Sequence, residues 1–367
     1  MDKEKKNTTF EKKIDNWIKK HLTRIRMVEK ILFVSHLKTM LKAGLSLVEG
    51  LRILSQEIEN KRLRDVIGKI KVGVEQGKQL SEMLFLFPKV FPRIYVSMIG
   101  AGETAGKMEE ALEQVAIQMK KSHELTSKIR GAMLYPAVIV VAMIGISIEI
   151  VFFVLPKIVV MFEEMESELP LATRILIVIV KSAQNYGIFI GIGIICIIVA
   201  LYYLLKLPKF KRAAHSFYLR IPIFGKIIKK INLARFTMTM SSLLGSAIPI
   251  IQAAKICADV QGNVIYKENM IAVAEALKKG DALSQILRRY PKSFPPMVTE
   301  MIMVGENSGK TEEMLDELAE YYSNEVDTTM KNFTIIIEPV IIIILGLAVA
   351  GIAVAVIMPM YSLAQSI

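Results

Sequence analysis

The chain has 367 residues, 53% of them hydrophobic, and a formal net charge of +12. A composition that is both so apolar and so basic is not that of an ordinary soluble two-domain protein. Its two cysteines, Cys196 and Cys257, provide no disulfide framework and have no metal-ligand spacing with the four histidines. We therefore expect two inert thiols, no metal and no cofactor.

The first features along the chain are a charged leader and three apolar segments. Residues 1–30 hold ten Lys or Arg and five Asp or Glu, without the apolar stretch of a secretory signal, so we expect the amino end in the cytoplasm. Residues 132–155, 186–205 and 334–358 are each apolar over about the 20 residues that a helix needs to cross a bilayer. The sequence therefore predicts three transmembrane helices.

The charges beside these segments predict their orientation. Residues 206–235, a basic linker, hold nine Lys or Arg and no acidic residue, whereas residues 156–185 hold four glutamates. Loops rich in Lys and Arg stay on the cytoplasmic side. We expect residues 156–185 to be an outer loop with a short interfacial helix at 171–180, and residues 359–367 to be an outer tail.

Both remaining regions, residues 31–131 and 236–333, are predicted to be cytoplasmic bundles of short helices. Their apolar residues recur at helical spacing between glycine and proline breaks, without the alternation typical of strands. The predicted fold class is an all-α membrane protein with two homologous cytoplasmic helical bundles and three transmembrane helices. We also expect the last helix of each bundle to continue unbroken into a span.

The two bundles are copies of one unit. Residues 88–107 and 291–310 are identical at ten of twenty aligned positions, each recurring 203 positions later. The same offset relates further pairs on both sides, namely Phe33 and Phe236, Leu41 and Leu244, Pro136 and Pro339, and Pro156 and Pro359. A repeat of this length indicates one structural unit built twice.

The end of the repeated stretch resembles a nucleotide-binding motif but lacks its spacing. A phosphate loop has four residues between its glycines and follows a strand, whereas residues 305–311 (GENSGKT) have three and follow a helical segment. We predict a tight helix–helix connection instead. In it, Gly102 and Gly305 take positive φ, and the hydroxyls of Thr104 and Ser308 lie at the start of the next helix.

Glutamates recur in these turns. Glu103 precedes Gly106, and Glu306 precedes Gly309. Two interpretations stay open for both carboxylates: capping or ion pairing with a neighbouring helix, and contact with a cytoplasmic partner.

Two further carboxylates lie within the predicted spans. Each costs about 2.5–3.5 kcal/mol on insertion scales unless it is compensated. Glu149, near the outer end of the first span, is expected to reach water. Glu338 precedes Pro339, which frees a carbonyl one turn earlier. It either reaches water or is a bundle-facing anchor for a cation on another helix or on a client segment.

Several motifs resemble those of the type II secretion system protein F family (GspF/PilC), the inner-membrane platform of type II secretion and type IV pilus systems. They are the openings at 33–47 and 236–250, the paired G-E-x-x-G-K turns, Tyr135-Pro136, residues 221–226 (IPIFGK), Glu338-Pro339 and Met358-Pro359. One departure is Ala247, which replaces the glycine usual in the second opening and predicts a slightly different turn.

The resemblance implies a non-enzymatic assembly platform that couples a cytoplasmic hexameric secretion ATPase to extraction of pilin or pseudopilin subunits. Its implied partners are that ATPase, those subunits, other inner-membrane assembly proteins, further copies of itself and the lipid bilayer, with no direct nucleic-acid contact. The client is left open among a pilus, a pseudopilus and a DNA-uptake fibre. The structural or partner-contact candidates are Gly102, Glu103, Gly106, Pro136, Gly305, Glu306, Gly309, Glu338 and Pro339; no residue is predicted to be catalytic.

Two other classes of function compete with this one. The intramembrane carboxylates and the repeat also suit a small transporter or channel subunit, although transport repeats normally lie within the membrane part itself. A passive membrane-tethered scaffold is the other alternative.

Overall fold

The structure is a computed structural model that describes residues 25–163 and 171–364. Every regular element in these residues is helical, which confirms the all-α class. Three segments are long and apolar enough to cross a membrane: Met108–Met161, Thr173–Leu204 and Thr311–Ile357. The described chain divides into two compact units, the first with residues 25–126 and 219–326, the second with residues 127–218 and 327–364.

The first unit contains both repeats. The first repeat consists of α1 (Met27–Lys42), α2 (Leu47–Glu57), α3 (Lys61–Glu75), α4 (Leu80–Phe85), α5 (Arg93–Thr104) and the start of α6 (Met108–Glu149). The second consists of α10 (Pro222–Gly245), α11 (Ile250–Val260), α12 (Val264–Leu277), α13 (Leu283–Arg288), α14 (Pro296–Ser308) and the start of α15 (Thr311–Ala364). Helices α2 and α11 cover equivalent residues at the offset of 203, as do α4 and α13.

The repeats also share their caps and their core. Asn60 accepts hydrogen bonds from the first N–H groups of α3, and its equivalent Asn263 does the same for α12. In the first core the rings of Phe33 and Phe91 lie 5.9 Å apart. The equivalent rings of Phe236 and Phe294 lie 5.1 Å apart. The same local signals thus produce the same packing twice.

The second unit holds the apolar helices. Helix α6 runs to Glu149 and is followed by a π-helical turn (Ile150–Val154) and α7 (Leu155–Glu163). Next come α8 (Leu171–Leu204), α9 (Pro208–Arg220) and the apolar part of α15. Five buried side chains from α7, α8 and α15 form its core: Leu155, Val159, Leu176, Val180 and Ala355. As predicted, α6 and α15 each run unbroken from a repeat into an apolar segment.

Other predicted boundaries differ from the structure. A separate interfacial helix at 171–180 is wrong, because α8 is one helix from Leu171 to Leu204 and residues 181–185 contain no glycine or proline to end it. Residues 206–235, predicted as a linker, are mostly helical in α9 and α10. Residues 1–24 of the predicted leader and 164–170 of the predicted loop lie outside the described residues.

Candidate functional site

The repeated Glu103 and Glu306 each hold the start of a short helix. The Glu103 carboxylate accepts hydrogen bonds from the Leu80 N–H at 2.6 Å, the Ser81 N–H at 3.0 Å and the Ser81 hydroxyl at 2.7 Å. These N–H groups are the free donors at the start of α4, where a negative charge is favoured. The structure therefore shows capping for Glu103, and partner contact stays a prediction.

Glu306 has the same role in the second repeat. It accepts from the N–H groups of Leu283 at 2.6 Å and Ser284 at 3.2 Å, at the start of α13. Neither α4 nor α13 has a cap from its own preceding side chain. The glutamate thus ties the G-E-x-x-G-K turn to a helix 22 or 23 residues earlier in the chain.

The glycines of the turn have roles other than those predicted. Positive φ is found at Gly106 and Gly309, both at +71°, and not at Gly102 or Gly305. A Cβ on Gly102 would lie 2.1 Å from the Cβ of Ala111. Gly102 is therefore needed for close approach of α5 and α6. Gly305 is equally confined, since a Cβ there would lie 2.8 Å from the Cα of the first residue of α15. The prediction failed because each helix continues past its first glycine.

One further detail of the turns was predicted wrongly. Thr104 and Ser308 do not cap the next helix; their hydroxyls donate back to the carbonyls of Gly100 and Val304, both at 2.8 Å, because both residues are still helical. The turn at Ala247 has the same backbone hydrogen bonds as the turn at Gly44 and differs slightly in φ. The φ of Ala247 is +56°, and this residue lies in the left-handed region like its equivalent Gly44 (not a G-E-x-x-G-K glycine) at +87°.

Within the first unit the two repeats pack against each other through polar and apolar contacts. Helix α5 packs against α10 and α11. The Ser242 hydroxyl donates to the Gln118 side-chain oxygen at 2.7 Å, and Lys121 pairs with Asp316 at 2.7 Å. A cleft of about 830 Å³ is lined by residues of the Gly102–Lys107 turn in the first repeat and by residues 245–249 in the second. The repeats therefore form one body within this unit.

The second unit brings together other predicted residues. Pro136 lies inside α6 and leaves the Ala132 carbonyl without its usual helical donor. The Thr334 hydroxyl lies 3.3 Å from that carbonyl oxygen, and 3.1 Å from the Met330 carbonyl of its own helix. Sequence reasoning missed Thr334. A threonine in an apolar span near the level of a proline on another span is the signal that could have found it.

The membrane carboxylates lie on helix surfaces. Glu338, next to Pro339, is exposed on α15, and Glu149 is exposed directly before the π-helical turn. Within the described residues Glu338 has no ion-pair partner. Its pairing with a cation on another helix or on a client segment stays a prediction. In the described parts of the chain, no three His, Cys, Asp or Glu side chains are grouped to hold a metal ion.

Together these features define a class: a helical membrane protein in which one module is built twice and each copy continues into a span. The model of the family described as type II secretion system (T2SS), protein F, matches the chain twice, at residues 33–156 and 236–359. The chain belongs to this family. The offset between the two matches is the 203 residues of the internal repeat.

Individual relatives agree over most of the chain. The type IV pilus assembly protein PilC of Thermus thermophilus is 33% identical over 332 residues, 90% of this chain and 82% of its own length. The type II secretion system protein F of Vibrio cholerae is 33% identical over 328 residues, 89% of this chain and 80% of its own. PilC of Pseudomonas aeruginosa is 31% identical over 341 residues, 93% and 91% of the two chains. No catalytic activity is named for any of the three.

Proposed function

We propose that the protein is an inner-membrane assembly platform that couples a cytoplasmic ATPase to the extraction and assembly of pilin or pseudopilin subunits. The names of its relatives, which specify type IV pilus assembly and type II secretion, support a role in such a system. The observation that carries the coupling is the continuity of α6 and α15. Each runs from a repeat of the first unit into an apolar segment long enough to cross a membrane.

Continuous helices suit mechanical transmission, because a helix with most of its backbone hydrogen bonds made resists bending more than a loop does. The first unit is the part that meets the ATPase in this proposal. Its repeats are joined by Ser242–Gln118 and Lys121–Asp316, so a force applied to one repeat also acts on the other. Tilt or rotation of the unit then moves both helices, and pilin subunits, other inner-membrane assembly proteins and further copies of the chain respond at the membrane.

The coupling requires that both repeats face the cytoplasm. Their packing into one compact unit supports a common side of the membrane. Helix α9, with four Lys or Arg and no acidic residue, supports the cytoplasmic side. In spheroplasts, a membrane-impermeant maleimide should fail to label Leu86→Cys or Ile271→Cys, two exposed positions in different repeats. Labelling of one site and not the other would contradict a single cytoplasmic unit.

Interrupting α6 between unit and span tests transmission directly. Arg130 is exposed within α6, and Arg130→Pro removes one backbone donor and kinks the helix, while Arg130→Ala is the matched control. The proline variant should still enter the membrane and co-purify with the ATPase but lose pilin or pseudopilin export. A passive scaffold would tolerate the proline, and a transporter would show flux in proteoliposomes that does not require the ATPase.

Glu338 is proposed to contact a client segment within the membrane. Glu338→Gln removes the charge and keeps the shape, and should reduce assembly of the fibre without lowering the amount of protein in the membrane. Glu149→Gln is the control, because that carboxylate is expected at the interface. Unchanged assembly in Glu338→Gln would exclude the client contact.

A further inference from the structure

The contact between the two repeats is of the head-to-tail kind. It uses α5 on the first repeat and α10 with α11 on the second. A two-fold contact would also cover α14, the equivalent of α5, with α1 and α2. The exposed fractions of equivalent residues show that this second contact is absent among the described residues.

Helix α14 has an exposed apolar face, whereas the equivalent face of α5 is buried. Ile94 on α5 is 3% exposed, whereas its equivalent Met297 is 41% exposed. Ala101 is half-buried, whereas its equivalent Val304 is 54% exposed. Both pairs lie on one side of their helices, seven residues apart. A face with the same register is thus packed in the first repeat and open in the second.

The neighbouring helix shows the same difference. Gln118 on α6 is 3% exposed and accepts the hydrogen bond from Ser242 of the second repeat. Its equivalent on α15 is Tyr321, a larger and partly apolar side chain that is 42% exposed. The exposed Met297, Val304 and Tyr321, together with the half-buried Met301, are called the open face below.

The first repeat has a matching exposed surface on α1. Val28 and Leu32 are 47% and 49% exposed, and with Ser35 and Thr39 they form a stripe along one side of the helix. Thr39 is the equivalent of Ser242, the residue that donates to Gln118 in the internal contact. These four residues are called the α1 stripe. Each half of the internal contact therefore has an exposed equivalent on the same chain.

The charges at the equivalent positions are also compatible. In the internal contact Asp316 is neutralised by Lys121 of the other repeat. Its equivalent Glu113 is instead neutralised by Lys38 of its own repeat, at 3.0 Å, which lowers the pKa of the Glu113 carboxyl. The equivalent of Lys121 is Asn324. Because Lys38 already neutralises Glu113, the position equivalent to Lys121 needs no positive charge, and the uncharged Asn324 occupies it.

We propose that the open face of one chain docks on the α1 stripe of a second copy, so that the contact within the chain is continued between chains. Such a contact is heterologous and adds copies in one direction, which closes a ring or extends a row. The proposed contact specifies the surfaces through which copies of the chain associate, and its biological role rests on the proposed function.

Disulfide cross-linking tests the register of this contact. The probes are Thr39→Cys on one tagged copy and Tyr321→Cys on another, the pair equivalent to Ser242 and Gln118. Both copies carry Cys196→Ser, and the buried Cys257 is kept. Co-expression in membranes should give a cross-linked dimer containing both tags, whereas either variant alone should give little. Ile271→Cys, 48% exposed on another side of the second repeat, replaces Tyr321→Cys as the matched control.

Three outcomes would overturn the proposal. The first is a mixed-tag dimer no stronger than that of the Ile271→Cys control, and the second is an equally strong dimer from Tyr321→Cys alone, which indicates a face-to-face contact. The third is modification of Tyr321→Cys by a maleimide only after deletion of residues 2–24, which would mean that these residues cover the open face.

A charge substitution provides a second readout in the full chain. Val304→Glu should abolish the mixed cross-link and reduce the particle mass in detergent to that of one copy, while Ile271→Glu should change neither. Cross-linking reports assembly alone. If the chain cross-links as expected but does not support export, the result contradicts the coupling to an ATPase and still supports the contact between copies.

Discussion

The hydroxyl of Thr173, near the start of α8, donates a hydrogen bond to the carbonyl of Ala355 on α15 at 2.8 Å, and both residues are buried. That carbonyl lies four residues before Pro359, which has no N–H to bond it. Thr334 has a similar relation to Ala132 and Pro136. Two carbonyls that prolines leave open in the second unit are therefore reached by threonines of other helices, as an apolar environment requires.

Removing the Thr173 hydroxyl should destabilise the protein in a way that depends on Pro359. Thr173→Val leaves the Ala355 carbonyl without a donor, and we expect a loss of roughly 0.5–2 kcal/mol in the free energy of unfolding in detergent. In a Pro359→Ala background the new N–H can bond the same carbonyl, so Thr173→Val should have a smaller effect. Equal losses in both backgrounds would contradict the relation.

Replacing either turn glutamate with glutamine should weaken its repeat. Glu103→Gln and Glu306→Gln each leave one donor of α4 or α13 facing an amide N–H, and we expect losses of about 1–3 kcal/mol by denaturant titration. Glu82→Gln is the control, because Glu82 is exposed in the first turn of α4. A control loss as large as that of Glu103→Gln would mean that helix charge, and not the specific cap, is responsible.

The two glycines of the turn should differ in tolerance. Gly102→Ala places a Cβ against Ala111 and should cost about 3 kcal/mol or more, since overpacking in a tight contact cannot relax fully. Gly106→Ala meets no atom within 4 Å and should cost only about 1–2 kcal/mol, through its positive φ. Thermal unfolding of both variants gives the order. Ala111→Gly should partly restore Gly102→Ala and leave Gly106→Ala unchanged.

Ala247 is a site where one substitution should stabilise the protein. Its φ of +56° lies in the left-handed region, so Ala247→Gly relieves backbone strain in the folded state. Glycine also raises the conformational entropy of the unfolded chain, which offsets part of this effect, and we expect a net increase of roughly 0.5–1 kcal/mol in the free energy of unfolding. The reverse change at the equivalent position, Gly44→Ala, should lower stability by a similar amount. A loss of stability in Ala247→Gly would show that the methyl group contributes packing that exceeds the strain.

Cys257 should resist alkylation until the second repeat unfolds. Burial raises the pKa of its thiol to about 12, so the reactive thiolate is scarce at pH 8 and increases only as the pH approaches that value. In a Cys196→Ser chain, mass spectrometry after a maleimide pulse should find Cys257 unmodified from pH 7 to 9 and fully modified in denaturant. Modification of the native protein at pH 8 would place the thiol in an open environment.

The sequence by itself determined the repeat, the helical class and the three apolar segments. These features follow from local patterns: the spacing of apolar residues, the positions of glycine and proline, and apolar segments long enough to cross a bilayer. The family match has the same 203-residue offset because both the match and the internal repeat read those patterns. Asn60 and Asn263 cap their helices for the same local reason.

The tertiary structure alone decided which residues of each motif serve which purpose. Gly102 and Gly106 look alike in the sequence, and only the approach of α5 to Ala111 separates a contact glycine from a turn glycine. The donor to the Ala355 carbonyl lies 182 residues away in the chain. Ile94 and Met297 occupy the same place in the repeat, yet one is covered and the other open. Local pattern cannot contain this information, because burial depends on which helices become neighbours once the two repeats have packed.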